Sequence, residues 1–236
     1  MNSFIAEFTT SHMGNLNVLL RMVEKAAEAG CSLIKMQKKD VLNFYSAEKL
    51  ASVYESPYGH TYEEYRTLFE FNEEDFQRFD EKCKECGVDW FATAQDIASL
   101  QFLLEFDLPI YKVASANSRN KELLAEIEMN IPQDKEVVIS VAGSTLQEVE
   151  DTIRLFPNHR LHVLHCVAEY PCRTQNLRLG NIPILKENFS DERISIGYSG
   201  HEIGIVPTFA AIDAGAEMIE RHFCLSRYSF VHHIEC

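Results

Sequence analysis

Residues 16–37 read LNVLLRMVEKAAEAGCSLIKMQ, and this stretch holds one complete helix-to-strand unit. Leu16, Leu19, Leu20, Val23, Ala26 and Ala27 recur on one helical face, so Leu16–Ala29 is expected to be an amphipathic helix. Gly30 follows in Ala29-Gly30-Cys31, where glycine accepts the left-handed backbone that ends a helix. Leu33–Gln37 is then a short, mostly apolar run, as expected of a strand covered on both faces. The same stop recurs before later strand-like runs, in Cys86-Gly87-Val88 and Ala214-Gly215-Ala216.

Extended in both directions, the pattern continues along the chain. The strand candidates are Phe4–Phe8, Leu33–Gln37, Trp90–Ala94, Ile110–Ala114, Val137–Val141, Leu161–Cys166, Ile194–Ser199 and Met218–Phe223. Strict strand–helix alternation implies a parallel sheet with right-handed crossovers. Eight such strands favour closure into a (β/α)8 TIM barrel, and residues 1–236 suit one barrel domain. Two irregularities stand out. The connection from about Lys38 to Tyr62, rich in Tyr, Ser, Pro and Gly, is expected to be a functional lid or disordered. The thirteen residues after Phe223 carry no helical pattern, so the barrel is expected to lack its last helix.

Composition narrows the function. A formal charge of -14 argues against a nucleic-acid surface, which needs a basic stripe. It still permits an anionic substrate where a few lysines converge. Seven scattered cysteines, an odd number, read as reduced thiols in a cytoplasmic protein. Met1 leads directly into a strand-like segment, so neither a signal peptide nor a membrane span is expected.

In barrels of this type the chemistry sits at the C-terminal strand ends. The polar residues collected there are Glu7; Lys35 and Gln37; Thr93 and Gln95; Lys112 and Ser115; Ser140; His165, Glu169 and Tyr170; Ser199 and His201; Glu220, Arg221 and His222. Lys35 and Lys112 are the most informative, because a lysine within a buried strand is costly unless an anion meets it. With the hydroxyls of Thr93, Ser115, Ser140 and Ser199 they suit a phosphate. The alternatives are a structural ion pair with Glu7 or Glu220, or a Schiff-base lysine. His201 and His222, on adjacent strand ends, could hold a divalent cation, although either alone is more often a satisfied polar residue. Cys83 and Cys86 lack the second ligand pair a zinc site needs. His232 and His233 could serve a metal or substrate, or be a solvated tail, and no nucleotide-binding fingerprint is present.

These positions resemble the catalytic barrel of the N-acetylneuraminate (sialic acid) synthase family. Phe4-Ile5-Ala6-Glu7 with Ser11-His12-Met13-Gly14-Asn15 is similar to the family's opening motif, and Ile34-Lys35-Met36-Gln37-Lys38 to its "KFQK". Leu108–Ser115, His165-Cys166 leading to Tyr170-Pro171, Ile196–Glu202 ("GYSGHE") and Ile219–Phe223 follow in order. The resemblance implies a transferase that condenses phosphoenolpyruvate with an N-acetylmannosamine-like aldose, giving a nonulosonic acid and phosphate by C–O cleavage. It implies that Lys35, Thr93, Lys112, Ser115, Ser140 and Ser199 hold phosphoenolpyruvate, and that Gln37 and Tyr170 contact the sugar. His201 and His222 would hold a metal, Mn2+ first with Mg2+ or Co2+ as alternatives, giving His201 a catalytic role. Glu7 would be the catalytic glutamate, and a homodimer is implied.

Asn117, Val141-Ala142-Gly143 and His233 depart from the family pattern, the last replacing a sugar-contacting aspartate. The acceptor is therefore expected to differ from N-acetylmannosamine. Family members also carry a C-terminal antifreeze-like domain, and residues 1–236 are expected to hold the barrel without it. Two other readings remain: a Schiff-base aldolase, or a weakly active barrel serving interaction or sugar sensing.

Overall fold

The computed structural model describes residues 3–231 and 233–236. Eight parallel strands close into a barrel: β1 (Ser3–Glu7), β2 (Leu33–Lys38), β5 (Asp89–Ala94), β6 (Ile110–Val113), β7 (Glu136–Ser140), β8 (Leu161–Cys166), β9 (Ile194–Gly200) and β10 (Met218–His222). β1 pairs with both β2 and β10, which closes the ring. Each of the eight expected strands is present, within a residue or two at either end. The outer ring contains α1 (Leu16–Glu28), α5 (Glu73–Cys86), α6 (Ile97–Leu103), α7 (Lys121–Asn130), α8 (Leu146–Arg154), α9 (Asn181–Asn188) and α10 (Val206–Asp213). Gly30, Gly87 and Gly215 adopt positive φ at the three expected helix stops. Among the described residues after His222 there is no helix.

The long second connection is not a bare loop. It folds into α2 (Val41–Phe44), α3 (Ala47–Ala51), the antiparallel strands β3 (Val53–Ser56) and β4 (Gly59–Thr61), and α4 (Tyr62–Thr67). Its tyrosines pack on one another: Tyr54 on Tyr65 at 4.5 Å, and Tyr45 on Tyr62 at 5.1 Å between ring centroids. The tyrosines of this segment, expected to be a functional lid or disordered, supply the small core of this unit.

Alternation along each strand divides the barrel interior into layers. At the floor, the His162 imidazole lies 2.7 Å from the Glu136 carboxylate and 2.5 Å from the Ser195 hydroxyl. Ile5, Leu33, Phe91, Ile110, Val138, Leu164 and Met218 form the dry middle layer. Two residues further along these strands stand Glu7, Lys35, Thr93, Lys112, Ser140, Cys166 and Glu220. The apolar layer is thus the base on which the polar layer rests. β9 contributes Gly197 to the middle layer. A Cβ there would lie 2.4 Å from Leu164 Cδ2 and 2.5 Å from the Met218 carbonyl oxygen. Gly197→Ala is therefore expected to destabilise the fold by about 1–3 kcal/mol, read as a lower urea midpoint, because backbone cannot yield as a side-chain tip can. An unchanged midpoint would mean that the layer is looser than its packing indicates.

Candidate active site

The polar layer opens into a cavity of about 220 Å³ at the C-terminal end of the barrel. All eleven residues given a role from the sequence line it: Glu7, Lys35, Gln37, Thr93, Lys112, Ser115, Ser140, Tyr170, Ser199, His201 and His222 share this one wall with Gln95, Cys166, Glu220 and His233. Three others from the strand-end set do not. His165 is buried outside the barrel wall, donating through Nε2 to the Leu177 carbonyl at 2.8 Å and stacking on Tyr198. Alternation explains the difference, since Leu164 faces inward and Cys166 must therefore do so as well. Glu169 bonds to Arg173 and Asn176, and Arg221 points outward to Glu202. His232 lies outside the described residues.

Glu220 is the centre of the site, a role the sequence reading had given it only as a possible ion-pair partner. Its carboxylate meets Lys112 Nζ at 3.0 Å and Lys35 Nζ at 3.4 Å, and accepts from Ser199 Oγ at 2.9 Å. Lys35 also reaches Glu7 at 3.0 Å. Burial alone would raise the Glu220 pKa, but the Lys112 and Lys35 ammonium groups outweigh it and hold Glu220 well below the usual carboxylate range. Glu7 goes the other way. Its burial, aided by the Glu220 charge, raises its pKa despite the Lys35 ammonium and the Thr9 and Gln37 hydrogen bonds. Two carboxylates in one cavity, pushed in opposite directions, are the arrangement expected of a fixed charge beside a proton carrier. Lys35 stays charged, because Glu220 and Glu7 overcome the cost of its burial.

The two imidazoles have assigned tautomers. His201 Nδ1 must donate to the Val167 carbonyl, 2.8 Å away, since a carbonyl only accepts. The Thr9 hydroxyl donates to Glu7 at 2.7 Å, so with Glu7 ionised its oxygen accepts from His222 Nδ1 at 3.1 Å. Both Nε2 atoms then carry lone pairs. Burial lowers the pKa of each, more so for His222, which also feels His201 and His233. Neutral rings with one nitrogen anchored are what metal ligation needs, and their centroids lie 5.6 Å apart. Among the described residues no three His, Cys, Asp or Glu side chains form a cage, so remaining coordination positions would fall to water or substrate. The donor set fits an open cation site. Tyr170 covers it, with its ring 4.2 Å from His201 and 4.1 Å from His233.

Behind Glu7, the backbone turns sharply at Thr9, which has φ 45. His12 holds that turn: Nε2 donates to the Thr9 carbonyl at 3.1 Å, and Nδ1 accepts from the Gly14 amide at 3.1 Å. Its bonding role is a finding of the structure, since the sequence placed it only within a resembling motif. Burial depresses the His12 pKa to about 4. The unfolded chain therefore binds more protons than the folded one between about pH 6.5 and 4, and stability rises with pH through that window. The contribution, about 3 kcal/mol on the ordinary conversion, is present at pH 7 and lost by pH 4. Urea midpoints across this range should fall more steeply for the wild type than for His12→Gln. Parallel curves would show that His12 does not set the dependence.

The NeuB family profile matches residues 22–232. N-acetylneuraminate-9-phosphate synthase of Drosophila melanogaster is 34% identical over 94% of this chain and 60% of its own length. The N,N'-diacetyllegionaminic acid synthase of Campylobacter jejuni is 28% identical over 94% of this chain and 67% of its own length. The crystal structure of N-acetylneuraminic acid (sialic acid) synthetase from Leptospira borgpetersenii, in complex with citrate, superposes with a TM-score of 0.87 at 28% identity, covering 99% of this chain and 77% of that one. The chain spans about 60% of the length of the first of these relatives. Matched by the profile along most of its length, and sharing its barrel with a relative of known structure, the chain belongs to the NeuB family.

Proposed function

We propose that this barrel condenses phosphoenolpyruvate with the open-chain form of an amino-sugar-derived aldose, releasing phosphate and a 2-keto-3-deoxy nonulosonic acid. The observation carrying this reading is the pair of buried lysines, Lys35 and Lys112, two strands apart on one wall with Thr93 between them. The Thr93 hydroxyl is buried without a partner among the described residues, although it lines the cavity, and a phosphate oxygen would satisfy it. Ser115, Ser140 and Ser199 add directional donors on the same wall. The relatives' names, covering N-acetylneuraminate-9-phosphate, N,N'-diacetyllegionaminic acid and pseudaminic acid synthases, support the reaction class.

In this reading carbon 3 of phosphoenolpyruvate attacks the aldehyde carbon. Water then adds at carbon 2, and phosphate leaves with its bridging oxygen. Lys35 and Lys112 hold the anion while Glu220 keeps both ammonium groups aligned. Glu7, beside Gln37 and Thr9, moves the proton on the acceptor side or orients the attacking water. His201 and His222 would hold the divalent cation, Mn2+ first, which when bound supplies Lewis-acid polarisation of the aldehyde. Tyr170 and Gln37 contact the sugar. His233, on the Tyr170 ring where the resembling family has an aspartate, supports an acceptor other than N-acetylmannosamine. A Schiff-base aldolase acting through Lys35 is disfavoured because its lysine must lose its proton, and Glu220 and Glu7 keep Lys35 charged, whereas burial lowers the Lys112 pKa.

We place the protein in the cytoplasm, supported by seven free cysteines, and take it as a homodimer, supported by the exposed Ile203, Ile205, Val206 and Phe209. Among the described residues no helix is long and apolar enough to cross a membrane. The test is phosphate release from phosphoenolpyruvate with Mn2+ across a panel of N-acetylated hexoses, on the wild type and His222→Ala. Sugar-dependent release that the variant loses supports the reading. Borohydride trapping of pyruvate on a lysine would replace it with the aldolase.

A further inference from the structure

His165 is a buried imidazole that the barrel chemistry does not use. It is 4% exposed, and its Nε2 donates to the Leu177 carbonyl at 2.8 Å. Burial lowers its pKa and holds the ring neutral, so with Nε2 protonated Nδ1 carries a lone pair. Among the described residues no donor meets Nδ1, and the protein does not seal that atom completely. A buried acceptor left open in this way calls for a donor from outside.

The space that His165 borders is a cavity of about 260 Å³ behind the barrel wall, between α8 and α9. Val141, Leu146, Val149, Ile184 and Leu185 supply its apolar sides, and Ser144 and Asn181 add a hydroxyl and an amide. None of the lining residues is charged, in a chain where 25% of all residues are. An ion entering here would lose water and find no counter-charge, so the occupant is neutral. A single water takes about 30 Å³ and would leave most of the space without a partner. Leu146 and Ile184 stand at the mouth, 43% and 44% exposed, where an apolar body would cover them.

This cavity is separate from the one at the barrel mouth. Val141 follows Ser140 on β7, and His165 precedes Cys166 on β8. In each pair one neighbour faces the catalytic cavity and the other faces this one. The two cavities share no lining residue, so their occupants do not compete.

We propose that the cavity behind β7 and β8 binds a small uncharged molecule, which presents one O–H or N–H donor to His165 Nδ1 and lays an apolar body against Leu146, Val149 and Ile184. The test is titration of the chain, its histidine ring nitrogens labelled with the heavy isotope, by para-cresol and by para-xylene. The two probes share a shape, and only the first has a donor. Para-cresol should bind saturably and at least about fivefold more tightly than para-xylene, as expected of one added hydrogen bond. Its binding should move the His165 Nδ1 resonance and be unchanged by saturating phosphoenolpyruvate.

His165→Phe should remove the preference between the probes. Ile184→Trp alters an exposed side chain and leaves the His165 bonds alone, so it should keep the thermal midpoint while closing the mouth to both probes. Absence of saturable binding, or equal affinity for the two probes in the wild type, overturns the inference. Para-cresol that phosphoenolpyruvate displaces, or that binds a folded Ile184→Trp variant as tightly as the wild type, overturns it too, since the probe then sits elsewhere.

Discussion

Glu7→Gln is expected to lower turnover by about 10²–10⁴-fold, the range for loss of a positioned proton carrier. Phosphoenolpyruvate affinity should change little, since glutamine keeps the shape and can still meet Gln37 and Thr9. The basis is the contrast between the two buried carboxylates. Glu220 is held anionic between Lys35 and Lys112, whereas burial and the Glu220 charge raise the pKa of Glu7. The acidic limb of the pH–rate profile should therefore lie above the range of an ordinary glutamate in the wild type, and disappear in the variant. Steady-state kinetics with separate kcat and KM values checks this. A loss confined to KM would make Glu7 a binding residue instead.

Glu220→Gln is expected to cost about 3–5 kcal/mol of stability, because it leaves two ammonium groups facing each other in a buried site. Lys112 is 2% exposed and Lys35 5%, so water cannot take over the carboxylate's role. Adding Lys112→Met to this variant should restore most of the loss, since one cation, Lys35, then remains opposite one anion, Glu7. The double variant should fold yet bind phosphoenolpyruvate poorly. Urea unfolding and calorimetry on the single and double variants give both numbers. Additive destabilisation, with no recovery in the double variant, would contradict the charge-balance account.

Most of the barrel and its site could be read from the sequence, for a physical reason. Parallel strands covered on both faces give apolar runs, so the lysines within Leu33–Gln37 and Ile110–Ala114 stood out against a uniform background. What was not legible depended on direction or on distant contacts. His165 and Cys166 are neighbours, and only the inward facing of Leu164 shows which of them enters the cavity. The 38–62 segment read as a functional lid or disordered because of its length, and its tyrosines become a core only by packing on one another. His12 looked like one residue of a motif. Its bonds to the Thr9 carbonyl and the Gly14 amide exist only once the turn has formed.

The most direct test of the account follows the bridging oxygen of phosphoenolpyruvate. With that oxygen labelled with the heavy isotope and the aldose acceptor present, the account predicts that the label leaves in inorganic phosphate, visible as an isotope shift in the phosphorus spectrum. Label retained in pyruvate, or phosphate released at the same rate without any acceptor, would contradict it.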